Sequence, residues 1–132
     1  MTVPLGEVRF ERDGKAVVAV ITGEVDMSNA ATIRLEIAEA VTPDDDAVVV
    51  DLTELEFIDS AGLHSLIELG TVLDERRQQF LLCVPKGSQT GRAIEIIGLP
   101  RAVRVHADRN EALEAARRSA MESRPIDPKE DA

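Results

Sequence analysis

Two hydrophobic periods alternate along this chain, one suited to buried strands and one to amphipathic helices. Val8 to Arg12 reads as a strand, and Asp13-Gly14 is a two-residue hairpin signal. The run AVVAVI within Lys15 to Thr22 is β-branched and does not alternate, which predicts a strand covered on both faces. Gly23-Glu24-Val25-Asp26 is read as the exit from the sheet, with Ser28 or Asn29 placed to cap a helix. In that helix Ile33, Ile37, Ala40 and Val41 form one apolar stripe.

After the polar connector Thr42 to Asp46, Ala47 to Leu52 is a second buried-type strand. Thr53 to Asp59 leads into a helix from about Ser60, with Leu63, Leu66, Ile67, Gly70 and Leu73 on one face. Phe80 to Val84 is a further strand, ended by Pro85-Lys86-Gly87. A shorter helix carries Ile94 and Ile97 and stops at Gly98-Leu99-Pro100. Val103 to His106 is a short last strand. Asp108 and Glu111 resemble a capping box for a final helix with Leu113, Ala116 and Ala120 inward.

The order β-β-α-β-α-β-α-β-α predicts an α/β single domain over residues 1–122. Its mixed, mostly parallel sheet has about five strands, an N-terminal antiparallel hairpin and about four packed helices. Residues 123–132, with two prolines, several charges and an isolated Ile126, read as a disordered acidic tail.

Composition narrows the function classes. The 132 residues carry 25 acidic and 15 basic side chains, a formal net charge of −10, which disfavours nucleic acid and anionic membranes as partners. Aromatic residues are only Phe10, Phe57 and Phe80, too few to make stacking platforms for bases. The apolar runs are strand-sized, and no basic segment followed by a long apolar run follows Met1 to Pro4. A cytoplasmic protein without a signal peptide is therefore expected.

His64, His106 and Cys83 are scattered, so no metal is expected, and no phosphate-cradling glycine loop or other cofactor motif is present. Cys83, inside FLLCV, reads as an inert core thiol. Asp44 to Asp46 reads as a solvated turn, not a calcium loop.

The chemistry concentrates at Asp59-Ser60-Ala61-Gly62-Leu63, where a buried strand passes through a turn into a helix. One reading makes Ser60 an N-cap. The other makes its hydroxyl a phosphorylation site, since a helix N-terminus tolerates a phosphate. A hydrolase would pair Ser60 with His64 four residues on, but the segment is not G-x-S-x-G and offers no orienting acid. The chain is read as not an enzyme.

At these residues the chain resembles the STAS domain of bacterial anti-sigma factor antagonists. The resemblance runs from about Val8 to Arg118. It rests on Gly23-Glu24-Val25-Asp26, on VVVDLTELEFIDSAGLHSLIELG, on Phe80 to Val84, and on Ala93 to Leu99. It implies a compact mixed sheet with packed helices. It implies a module that binds an anti-sigma factor, usually a serine kinase, and so frees a sigma factor for transcription. The kinase would inactivate it by phosphorylating Ser60, and a separate serine phosphatase would restore it. Asp26, Asp59, Ala61, Gly62 and His64 would form the partner-binding surface, with His64 tuning the docking face. The alternative is a STAS scaffold or regulatory subunit of a stressosome or a membrane transport system.

Overall fold

A computed structural model describes residues 4–98 and 103–122. Six strands and four helices follow in the order β1 (Glu7–Asp13), β2 (Ala16–Val25), α1 (Ala30–Ala40), β3 (Ala47–Asp51), β4 (Leu55–Ile58), α2 (Ser60–Glu75), β5 (Gln79–Cys83), α3 (Gln89–Ile97), β6 (Val103–His106) and α4 (Arg109–Glu122). The sheet runs β1-β2-β3-β5-β6, parallel except for the β1-β2 hairpin, and the α/β architecture agrees with the pattern reading. The expected tail from Ser123, and Leu99 and Pro100, lie outside the described residues.

Alternation along the strands sorts the apolar side chains into two layers. Val17, Ala19 and Ile21 of β2 join Val48 and Val50 of β3 and Phe80 and Leu82 of β5 beneath α1 and α2, with Ile94 of α3 added. The intervening Ala16, Val18, Val20, Val49, Leu81 and Cys83 face the other way, toward Ala112, Leu113 and Ala116 of α4. Helices on both faces explain why β2 and β3 are nearly continuous hydrophobic runs. In α2 the buried stripe contains Leu69 as well as Leu63, Leu66, Gly70 and Leu73, whereas Ile67 is only partly buried.

Three local expectations need correction. Asp13 pairs with Ala16, so the hairpin loop is Gly14-Lys15, one residue later than expected, and Gly14 supplies the positive φ of 59°. Gly23 to Val25 do not leave the sheet. Gly23 pairs with Leu55, Glu24 with Phe57 and Val25 with Ile58, a register shift separating the first two pairs, and this adds the short strand β4. The acidic turn is not fully solvated. Asp45 is buried and accepts Arg12 Nη1 at 2.7 Å and the Thr42 amide at 2.8 Å. Arg12 thereby ties the hairpin to the α1–β3 connection.

A second buried carboxylate, Asp51 at the end of β3, fixes α4. Its Oδ2 accepts Arg109 Nε and Nη2 at 3.1 and 3.0 Å, and Oδ1 accepts the Thr53 hydroxyl at 2.7 Å. Arg109 also reaches Glu11 of β1 at 3.0 Å. At the start of α4 Asp108 Oδ1 accepts the Glu111 amide at 2.9 Å, as the capping-box spacing suggested. Burial pushes the Cys83 thiol up to about 12, in keeping with an inert core residue.

Candidate functional site

Pairing of β2 with β4 brings two segments that are distant in sequence to the same end of the sheet. Val25 and Ile58 are register partners, so Asp26 and Asp59 leave the sheet side by side, and Ser60 opens α2 immediately afterwards. The Asp59 amide donates to Val25 O at 3.1 Å, closing the junction.

Asp59, not Ser60, is the N-cap of α2. Its Oδ1 accepts the Gly62 amide at 2.9 Å, and its backbone is extended, as an N-cap requires. Its other oxygen, Oδ2, accepts the Met27 amide at 3.3 Å and so ties the β2–α1 turn to the helix start. Ser60 therefore occupies the first helical position. Its side chain is exposed, and its hydroxyl makes no hydrogen bond among the described residues. The expected capping role passes to the neighbouring carboxylate, and the serine oxygen is left free.

Gly62 is buried, and its reason is steric. A Cβ there would stand 2.5 Å from Ile58 Cγ1 and 3.0 Å from Val25 Cγ1. The first turn of α2 thus lies directly on the ends of β4 and β2, and Gly62 contributes close packing more than surface. Ala61 is partly exposed, and His64 is exposed one turn beyond Ser60. No hydrogen bond joins Ser60 to His64 among the described residues.

Asp26 shapes the turn on the other side. Its carboxylate accepts both the Ser28 hydroxyl and the Ser28 amide, which hold it below the usual aspartate range. Asn29 stands at the N-cap position of α1 without capping it. Its side chain instead accepts the Asp26 amide and donates to Glu24 O, each at 2.9 Å. The turn is thus rigidly hydrogen-bonded while one face of Asp26 stays open to solvent.

The structure adds two apolar residues to the neighbourhood that the sequence did not single out. Met27, in the turn bonded to Asp59, is 81% exposed, and Phe57 of β4 is 46% exposed. Met27 sits alone in a polar turn, and Phe57 lies in a four-residue strand too short to stand out in the pattern. Among the described residues, no three His, Cys, Asp or Glu side chains converge as metal ligands would, and no helix is long and apolar enough to cross a membrane.

Comparison with known proteins places this arrangement. The STAS domain family model matches residues 7–112. The anti-sigma-F factor antagonist RsfB of Mycobacterium tuberculosis is 32% identical over 107 residues, covering 81% of this chain and 85% of that protein. The crystal structure of an anti-sigma factor antagonist from Mycobacterium paratuberculosis superposes with a TM-score of 0.76 at 28% identity, covering 85% of this chain and 94% of the other. The anti-sigma factor antagonist SpoIIAA in its unphosphorylated form gives a TM-score of 0.64 at 23% identity, covering 84% and 98%, and shares the fold. With the domain match spanning most of the chain and a relative this similar over four-fifths of it, the protein belongs to the STAS-domain family of anti-sigma factor antagonists.

Proposed function

We propose that the unphosphorylated protein binds a serine-kinase anti-sigma factor, so that a sigma factor is released for transcription, and that phosphorylation of Ser60 ends this binding. The protein acts here as a non-enzymatic binding module, and a serine phosphatase returns it to the active form. The observation that carries the reading is the free, exposed Ser60 hydroxyl at the first position of α2, with Asp59 taking over the cap.

That geometry suits a switch. A kinase reaches the hydroxyl without disturbing the cap that holds the helix. The phosphate then sits at the positive end of the α2 dipole, near the unpaired amides of the first turn, and is carried without unfolding. It adds roughly −1.5 to −2 charges beside Asp26 and Asp59. A docking face with Met27 beside Ser60, in the turn bonded to Asp59, and His64 one turn on supplies an apolar anchor within an acidic surround. Burying an uncompensated dianion against that face costs several kcal/mol and weakens binding by orders of magnitude.

A capture experiment from native lysate tests the assignment. Wild type and Ser60→Ala are expected to retain a kinase-type anti-sigma factor, and Ser60→Asp to lose it. Equal capture by all three would remove Ser60 from the docking surface.

A further inference from the structure

We propose that the outer edge of β1 pairs antiparallel with β1 of a second copy, about a two-fold axis at Phe10, giving a weak homodimer with one continuous sheet. β1 ends the strand order β1-β2-β3-β5-β6, and among the described residues no strand pairs with its outer edge. All of its residues except Val8 are exposed, Phe10 at 39%.

The hairpin register shows which backbone groups are free. The two-residue loop Gly14-Lys15 closes on Asp13 and Ala16, which such a turn joins by a hydrogen bond. Alternation along the ladder then bonds Glu7, Arg9, Glu11 and Asp13 to β2, and turns the N–H and C=O groups of Val8, Phe10 and Arg12 outward. An axis at Phe10 sets Phe10 opposite Phe10 and Val8 opposite Arg12, so all three outward residues find hydrogen-bonding partners at once. It is also the axis position that pairs the whole of β1, since Phe10 is its central residue.

The side chains select the same axis. Charges on an edge strand ordinarily discourage pairing. In EVRFERD they are placed so that Arg9 of each copy faces Glu11 of the other. Axes at Arg9, Glu11 or Arg12 would instead set like charges on the dyad. Within one chain Arg9 already holds Glu54 and Arg109 already holds Glu11, each at 3.0 Å, so the new pairs join existing ones into a row of alternating sign. The like-charged Glu7 and Asp13 meet only at the two ends of the seam, where Asp13 is bound by Arg117 at 3.0 Å. Arg12, held by Asp45, faces the uncharged Val8. Phe10 shares a face with Val8, which packs against the core, and the two Phe10 rings cover each other there.

A short seam and a net charge of −10 on each copy keep the dimer weak. The seam is centred opposite Ala19 of β2, well before Val25, where β2 meets β4, so it does not contain Ser60 and the dimer carries two such sites.

Sedimentation equilibrium of the full chain between about 10 μM and about 1 mM should show reversible dimerisation. Over the same range, amide exchange followed by NMR should slow with concentration at Val8, Phe10 and Arg12, while Arg9, Glu11 and Asp13 exchange slowly throughout. Arg9→Glu and Glu11→Arg each set like charges across the seam and should be monomeric alone. Their equimolar mixture should dimerise, because every such pair then becomes one of opposite sign. A wild type that stays monomeric at the highest concentration would overturn the proposal. So would a dimer whose Val8, Phe10 and Arg12 amides do not respond, which would put the interface elsewhere, or a mixture of folded variants no more dimeric than its components. Should either variant fail to fold, the wild-type amide profile decides alone.

Discussion

The Asp59 carboxylate accepts the Gly62 amide at 2.9 Å, spanning a Ser60 whose own hydroxyl has no partner among the described residues. Two adjacent residues that both suit a helix start have thereby divided the work. The carboxylate holds the helix and the β2–α1 turn, and the hydroxyl stays available for chemistry.

This division makes substitutions at the two aspartates separable. Asp59→Ala removes the cap and the link to Met27, and should lower stability by about 1 kcal/mol, or about 3–5 °C in melting temperature for a domain of this size. Asp26→Asn keeps an acceptor for Ser28 and should melt within about 1 °C of wild type, a surface-level effect. If Asp26 helps to present Ser60, the variant should still be phosphorylated several-fold more slowly. Differential scanning calorimetry beside a radiolabelled kinase assay checks both.

Gly62→Ala addresses the packing of the same turn. Its Cβ would meet Ile58 and Val25 at 3.0 Å or less, and these are core side chains of strands that cannot swing aside. A loss of about 1–3 kcal/mol is expected in urea denaturation, with Ser60 phosphorylation slowed because the helix start is displaced. An unchanged midpoint would mean that α2 does not lie against β4 as described.

Much of this architecture is legible in sequence because AVVAVI, AVVV and FLLC are buried on both faces and read strongly. What escaped reading has local causes. Strand β4 has four residues and pairs with the far end of β2, so its short alternation of Leu55 and Phe57 with acidic residues is passed over within the link from β3 to α2. Asp45 looked solvated because nothing near it in sequence announces Arg12, 33 residues away. Ser60 reads as a candidate phosphoacceptor at the helix start, and the cap belongs one residue earlier, to Asp59. Asp and Ser are comparable N-caps, and only the fold decides between neighbours.

The two buried carboxylates set the response to acid. The hydrogen bond from Arg12 lowers the pKa of Asp45. Burial pushes that of Asp51 upward, but the bonds from Thr53 and Arg109 outweigh it, and the net displacement is downward. A pKa below the unfolded value means stability that is fully present above about pH 4 and is lost as pH falls further. Urea midpoints should therefore be nearly flat from pH 5 to 8 and drop below 4. The difference between wild type and Asp51→Asn should shrink over the same interval. A difference that stays constant down to pH 3 would show that the Asp51 charge contributes nothing.

Cys83 should resist alkylation in the folded protein at pH 8, because burial holds its thiol near 12, and react within minutes in denaturant. Mass spectrometry of iodoacetamide-treated samples distinguishes this from an accessible thiol, which would be modified under both conditions.

On the proposed function, one phosphate on Ser60 changes the docking surface and not the fold. Its most direct test is calorimetric titration of the anti-sigma factor with the unmodified and the Ser60-phosphorylated protein, the latter first verified by mass spectrometry and circular dichroism. An affinity at least about a hundredfold weaker for the phosphoprotein, with unchanged circular dichroism, is the expected result. Equal affinities for the two forms would mean that Ser60 phosphorylation does not control binding.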